Sequence, residues 1–468
     1  MHSTGREPLY IFEHKGSWYA FRPFTVDVVP VDSEEAVFLK ACQKTDVSRA
    51  GSSLGWEFPR VERVKESLFR KGLFSSSAFL DSVASTTSST PERAEINPVS
   101  KNVEILVNAS QTCNLACEYC FVDKGQFGYN EDRVLYLTPA HARRLINVLP
   151  EALPWVKEFC IHFYGGEPLL NVEAMKAAVE AAQEYDGLFT FAITTNGTII
   201  NDEVFAVLQE GRFSVVLSID GPAEAHDTMR KTSQGGPTHG MVMQFLERLR
   251  QPPKLLVRGS AVVRRGWTLR EAETYLQSID VDLIKAQAVR LPEDNPLMLN
   301  EKEKKQYITH LGEVADSVIQ GLKKGVPPKD DRFNQRVLQL LKKTRRVSFC
   351  GAAQWSFGVS ADGTVLPCVL LAGVPGTELG HIDDPLYTWV EQGRKWAEAH
   401  GPRSECESCW ALPLCGGGCP AMLHVCGEDE CELTRANCDL ALRIFAEFYD
   451  NLVDLLYLAG IRDRTAPT

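Results

Sequence analysis

The sequence predicts an α/β fold of three parts: a small β+α module of winged-helix-like make-up, a partial (β/α)6 TIM-like barrel, and a cysteine-rich carboxyl-terminal domain. Three observations predict it. Apolar runs at 103–108, 158–164, 188–194, 214–219, 254–263 and 282–289 alternate with helical periodicity, the rhythm of a parallel sheet. Residues 8–31 instead alternate apolar and polar side chains. After about residue 345 both patterns weaken and Gly, Pro and Cys become frequent as far as Cys438. At 468 residues the chain is long enough for two or three domains with substantial cores.

In the first part, Tyr10, Phe12, Trp18, Phe21 and Val28 mark strands, and His14-Lys15-Gly16-Ser17 supplies a turn. Ser33-Glu34-Glu35 opens a helix, and a second runs from about Val61 to Lys71 before Gly72. Ser82 to Thr90, followed by Pro91 and Pro98, reads as a linker, so the expected boundaries are 1–95, 101–340 and 341–460. In the second part Thr138-Pro139, Asn171 and Asn201 are expected helix caps, with Gly211 a stop. Four unusual segments follow strands directly: the cysteine motif at 113–120, Gly165-Gly166-Glu167-Pro168, Thr194-Thr195-Asn196-Gly197 and Ser218-Ile219-Asp220-Gly221-Pro222. In such sheets the carboxyl ends of the strands form the active face. In the third part, scarcity of apolar repeats points to metal ligation as a source of stability, and 434–458 reads as one amphipathic helix.

Fifty basic against sixty-one acidic side chains, a net charge of −11, disfavour nucleic acid and anionic lipid as partners. No apolar run is long enough to span a membrane and no signal segment opens the chain, so a cytoplasmic protein is expected. In that compartment the 14 cysteines point to metal or redox work before disulfides. Only Cys42 and Cys160 stand alone, as ordinary buried residues.

Cys113, Cys117 and Cys120 have the C-x-x-x-C-x-x-C spacing that offers three thiolates to a four-iron cubane and leaves one iron open. A zinc site would want a fourth ligand. With Tyr119 before the last cysteine, residues 101 to about 290 resemble the radical S-adenosylmethionine (SAM) superfamily. The resemblance implies a [4Fe–4S] cluster on these cysteines and SAM on its open iron. It also implies a 5′-deoxyadenosyl radical as the reagent, with Tyr119 near the adenine and Gly165, Gly166, Glu167 and Pro168 at the methionyl end. Thr195, Asn196, Ser218 and Asp220 would line the rest of the pocket.

Beyond it, Cys350, then Gly363 four residues before Cys368, then Cys406, Cys409, Cys415, Cys419 and Cys438 resemble the SPASM domain, which carries two auxiliary [4Fe–4S] clusters. That resemblance implies Cys406, Cys409, Cys415 and Cys438 around one cluster and Cys350, Cys368 and Cys419 around the other, three clusters in all. The second set lacks a fourth ligand; Cys426 or Cys431 can supply it, or an iron stays open to a substrate thiolate. A zinc ribbon is the alternative for the region.

Enzymes of this architecture act mostly on ribosomally made peptides or protein side chains, and draw electrons from a donor such as flavodoxin or ferredoxin. The expected substrate is therefore a peptide or small protein, with a leader captured by strand addition to the amino-terminal module. The resemblance is to thioether-forming maturases, including the maturation enzyme of quinohemoprotein amine dehydrogenase. Anaerobic sulfatase-maturating enzymes are the rival reading; in them an aspartate base follows the cysteine of the Gly-x-x-x-x-Cys segment, where this chain has Val369. A zinc-stabilised peptide-binding scaffold without catalysis is the third. Asp220, Glu167, Arg230 and Arg258 are the polar residues near the active face, and none is assigned as a base.

Overall fold

A computed structural model describes residues 8–45, 47–73, 102–125, 135–346, 348–385, 388–427 and 431–458. The expected linker at 82–95 lies outside them.

The amino-terminal strands β1 (Tyr10–His14), β2 (Ser17–Arg22) and β3 (Asp27–Val31) form an antiparallel meander in the order β1-β2-β3. Lys15 and Gly16 turn the first hairpin with positive φ, 49° and 82°. Asp32 then caps the helix Ser33–Lys44, with Glu35 reaching back to complete a capping box. The helices Val47–Ser53 and Phe58–Arg70 follow. The sheet is covered on both faces. Ala20, Val31 and Leu39 share a core with these helices, whereas Phe12, Phe21, Val26 and Val28 join the main core of the protein. Tyr10 stacks on Trp410 with ring centroids 3.8 Å apart and donates to Asp439 at 2.8 Å. His14 and Lys15 meet Glu447 at 2.5 and 2.7 Å. Through Tyr10, Glu13, His14 and Lys15 the meander is thus bonded to the helix Cys431–Glu447.

The main sheet has nine strands in the order β12-β11-β10-β4-β5-β6-β7-β8-β9. Six match the apolar runs: β4 (Asn102–Ser110), β5 (Glu158–Gly165), β6 (Phe189–Thr195), β7 (Ser214–Ser218), β8 (Val257–Val263) and β9 (Leu283–Ala288), all parallel. Burial alternates along them. Val103, Ile105, Phe159, Ile161, Phe163 and Ile193 are fully buried, while Glu104, His162, Tyr164, Thr194, Ser218 and Arg258 on the opposite face are less so. One face packs on helices and the other is left polar.

Thr138 caps the helix Pro139–Ala152, and Asn201 caps Asp202–Glu210, as expected. Asn171 does not cap: its amide donates to the Ala109 and Leu137 carbonyls at 2.7 and 2.8 Å, clamping the loop after β5 to β4. The cysteine-rich segment departs from expectation more. β10 (Ser356–Val359) pairs parallel with β4, and β11 (Thr364–Leu366) and β12 (Gly380–His381) add antiparallel. Phe357, Val365, Leu379, Ile382, Trp389, Leu414 and Leu442 all enter the main core, so this segment has an apolar interior as well as its cysteines. The expected single helix at 434–458 is two, Cys431–Glu447 and Leu452–Leu458.

Among the described residues no helix is long and apolar enough to cross a membrane.

Tyr10→Ala should remove the Trp410 stack and the Asp439 bond together, lowering stability by about 2 kcal/mol. Denaturant unfolding measures it, and an unchanged midpoint would show that the docking contributes nothing.

Candidate functional site

The loop after β4 carries Cys113, Cys117 and Cys120 and is tied down by its backbone. Ala116 N–H donates to the Lys231 carbonyl at 2.8 Å and Glu118 N–H to the Met229 carbonyl at 3.1 Å. The sulfurs receive donors as well: Leu115 N–H to Cys113 Sγ at 3.4 Å, Lys124 N–H to Cys120 Sγ at 3.2 Å, and Asn196 Nδ2 to Cys113 Sγ at 3.7 Å. Burial pushes the Cys113 thiol up to about 12 and raises that of Cys117, with neighbouring sulfurs adding to it. Such sulfurs ionise when a cation neutralises them, and amide donors aimed at sulfur are the usual surroundings of cluster ligands. The donor set therefore fits a cubane held by three thiolates.

Gly165 and Gly166 let the next loop press against this one. A Cβ on Gly165 would lie 2.3 Å from the Ser110 carbonyl oxygen and one on Gly166 2.2 Å from that of Thr112. The close approach lets Gly166 and Glu167 donate their N–H groups to those same carbonyls at 2.8 and 3.0 Å. Glu167 is fully buried, its carboxylate turned inward, and Pro168 behind it opens a short 3-10 turn. Leu169 N–H and the Thr195 hydroxyl donate to Oε1 at 3.0 and 2.7 Å, and Asn196 N–H donates to Oε2 at 2.7 Å. Burial outweighs these bonds and raises the carboxyl to about 7. Asn196 passes the constraint on, holding Asn114 Oδ1 at 2.9 Å beside the Cys113 contact.

Tyr119 and Asp220 also turn inward. The Tyr119 hydroxyl donates to Asp220, whose other oxygen accepts Val262 N–H at 3.1 Å. Arg230 lies 3.4 Å from Asp220 and over the Tyr119 ring. Of the nine residues expected around SAM, Glu167, Thr195, Asp220 and Tyr119 thus spend their polar atoms on one another and on neighbouring loops, whereas Ser218 ends β7 half-buried.

Two further groups of sulfurs lie beyond the β4 edge. Cys350 and Cys368 are neighbours of each other and of Cys419, and burial pushes the first two up to about 11 and about 12. Cys406, Cys409 and Cys415 line one small cavity, with Cys438 buried alongside Cys409 and Cys415. Arg346 faces Cys350, Cys415 and Cys438. Cys431 lines the cavity of the Cys406 group, away from the set that lacks a fourth ligand. The side chain of Cys426 lies outside the described residues.

Three residues that sequence reasoning passed over stand between these centres. Glu104 on β4 lies 3.0 Å from His162 Nδ1 on β5, and His162 Nε2 lies 2.9 Å from the Thr194 hydroxyl on β6. Burial would raise the Glu104 carboxyl, but the bond and charge of His162, with Lys285 nearby, hold it below its ordinary value. Tyr164 has the sulfurs of Cys368 and Cys120 as neighbours, and burial foremost pushes its phenol up. Cys160, expected to be an ordinary buried residue, pairs across the strands with Glu104 on the same half-exposed face. Arg258 there is committed to Asp331.

Residues 107–278 match the Radical SAM superfamily. A serine-type anaerobic sulfatase-maturating enzyme of Bacteroides thetaiotaomicron is 31% identical over 160 residues, 33% of this chain but only 38% of that enzyme. The cysteine-type enzyme of Clostridium perfringens is 25% identical over 370 residues, 75% of this chain and 94% of the relative. The solved structure of native anSMEcpe with bound AdoMet and Kp18Cys peptide shares the fold, with a TM-score of 0.60, 22% identity, and 77% and 99% of the two chains covered.

Glu167→Ala leaves three buried donors without their acceptor, each costing about 1–3 kcal/mol. SAM binding, read by equilibrium dialysis, should fall at least about tenfold. Unchanged SAM affinity would show that the loops hold their positions without this carboxylate.

Proposed function

We propose that this radical SAM superfamily enzyme is a maturase that joins a cysteine sulfur to a carbon within a peptide or small protein. On this reading Cys113, Cys117 and Cys120 hold the SAM-binding cluster, with Cys406, Cys409, Cys415 and Cys438 around one auxiliary cluster and Cys350, Cys368 and Cys419 around another. When bound, these groups and SAM supply a 5′-deoxyadenosyl radical that removes hydrogen from carbon, and a sink for the electron released later.

The observation that carries the reading is the polar sheet face on which Tyr164 neighbours the sulfurs of both Cys120 and Cys368, with the Glu104–His162 acid–base pair on the same face. Thioether formation removes one hydrogen atom from carbon, one proton from sulfur and one electron. Glu104, a carboxylate, accepts from His162 Nδ1–H, which leaves the lone pair of Nε2 towards Thr194 and free to take the thiol proton once substrate displaces that hydroxyl. The incomplete Cys350 set leaves room for a substrate sulfur. A leader strand would add to the amino-terminal sheet, and a flavodoxin- or ferredoxin-type donor would reduce the centre.

A second reading has one observation in its favour. The relative matched over 94% of its length is a cysteine-type sulfatase-maturating enzyme, and side-chain oxidation of a sulfatase would use the same reagent. Val369 stands against it, since an apolar side chain cannot take a proton.

Reconstituted enzyme with SAM and reductant, offered cysteine-containing peptides that include a sulfatase-derived one, separates the readings. A product lighter by two hydrogens whose cysteine resists alkylation supports the thioether; a sulfur-free carbonyl product overturns it in favour of sulfatase-type oxidation. Cys113→Ala/Cys117→Ala/Cys120→Ala should abolish 5′-deoxyadenosine while keeping roughly 8 of 12 irons, the complement of two remaining cubanes. His162→Gln should lower product formation about 10²- to 10⁴-fold and leave uncoupled SAM cleavage near wild type. Full product formation would remove His162 from the chemistry.

A further inference from the structure

We propose that His141, His381 and Asp383 form a site for a borderline divalent cation, Zn²⁺ by preference, which clips the helix Pro139–Ala152 to the turn after β12. One ring nitrogen from each histidine and a carboxylate oxygen of Asp383 lie within 4.8 Å of one another. None of the three neighbours the cysteine groups in sequence, and the fold alone assembles them. His141 sits in the first turn of its helix, where its N–H is fixed by the Thr138 cap at 3.0 Å. His381 ends β12, its N–H held by Asp384 at 2.7 Å.

The hydrogen bonds of His381 determine where its lone pair points. Nε2 lies 2.8 Å from the Asp362 carbonyl oxygen. A carbonyl only accepts, so Nε2 carries the proton, and the neutral ring presents a lone pair at Nδ1. Asp383 N–H donates to Nδ1 at 3.2 Å, which agrees with that tautomer; this bond takes the one lone pair of Nδ1, and a metal there would replace it. Yet Nδ1 also faces Asp383 Oδ2 at 3.4 Å. Two lone-pair atoms at that distance repel unless a proton or a cation lies between them. A separation of about 3.4 Å is also the edge of a tetrahedron whose ligand bonds are about 2.0–2.1 Å, those of zinc to nitrogen and oxygen.

The surroundings match those of a metal-bound imidazole, in which the second ring nitrogen donates to a carbonyl. Gly363 keeps that geometry open, since a Cβ there would lie 2.6 Å from His381 Nε2. Arg144 Nε takes the other Asp383 oxygen at 3.3 Å and leaves Oδ2 turned to the site. His141 Nδ1 is buried and has no hydrogen-bond partner among the described residues, an unexplained polar atom that a metal or its water would satisfy. Two imidazoles and a carboxylate suit zinc, and the 58% exposure of the Asp383 side chain leaves the remaining position to water.

The test uses full-length protein with its iron–sulfur clusters reconstituted, dialysed against micromolar Zn²⁺, with iron and zinc determined together and melting followed with and without zinc. Wild type should hold about one zinc per chain beyond its iron and melt higher with it. His381→Ala and Asp383→Asn should each weaken zinc binding at least about tenfold and lose the melting shift, with iron unchanged. Should His381→Ala fail to fold, the half-exposed Asp383→Asn reads the site alone. No zinc taken up by wild type overturns the proposal. Equal zinc uptake by wild type and variants also overturns it, placing the metal elsewhere.

Discussion

A carboxylate with no access to water holds the candidate site in register. Glu167 accepts from Leu169 in its own loop and from Thr195 and Asn196 at the end of β6. Through Asn196 the constraint reaches Cys113 and Asn114 after β4. Three strand ends are thereby fixed by one side chain, and the two glycines before it matter because only they let the loop backbones approach within bonding distance. The arrangement carries a cost, visible in the raised carboxyl, which neutral donors offset only in part.

Around this point the sheet divides its labour by face. The apolar face packs on helices and supplies rigidity; the other gathers the half-buried polar side chains of Glu104, His162, Tyr164, Thr194 and Arg258. The carboxyl-terminal segment is joined to that sheet by backbone pairing of β10 with β4, and the amino-terminal meander closes over the far side of the Cys431–Glu447 helix. The three groups of cysteines therefore belong to one packed body, in which Tyr164 and Arg346 stand between sulfurs of different groups.

Much of this was legible in the sequence because parallel strands buried on a face read as continuous apolar runs, and all six were found within a few residues. The loops after them stood out by composition. What stayed hidden needed registry between distant segments. Glu104 and His162 are 58 residues apart, and nothing local says that neighbouring strands bring them together. Asn171 looked like a cap because a helix follows it, but two carbonyls across the loop took its amide instead. β10, β11 and β12 span four, three and two residues, too short for any period to show. The side-chain bonds of the buried Glu167 and Asp220 to neighbouring loops likewise join residues far apart in the chain.

The pairing of β10 with β4 also bears on how the chain reaches this state. Ser356 is the partner of Glu104, about 250 residues later. At ribosomal rates of roughly 5–20 residues per second, the second strand emerges some 10–50 s after the first. Throughout that interval β4 can pair on one side with β5 while its other edge, with the run Val103 to Val107, waits uncovered. An apolar strand with an unsatisfied edge is a template for pairing with another chain. Nascent chains of this protein should therefore be most prone to self-association in the window before residue 360 is made, and a chaperone that masks the β4 edge would act during elongation.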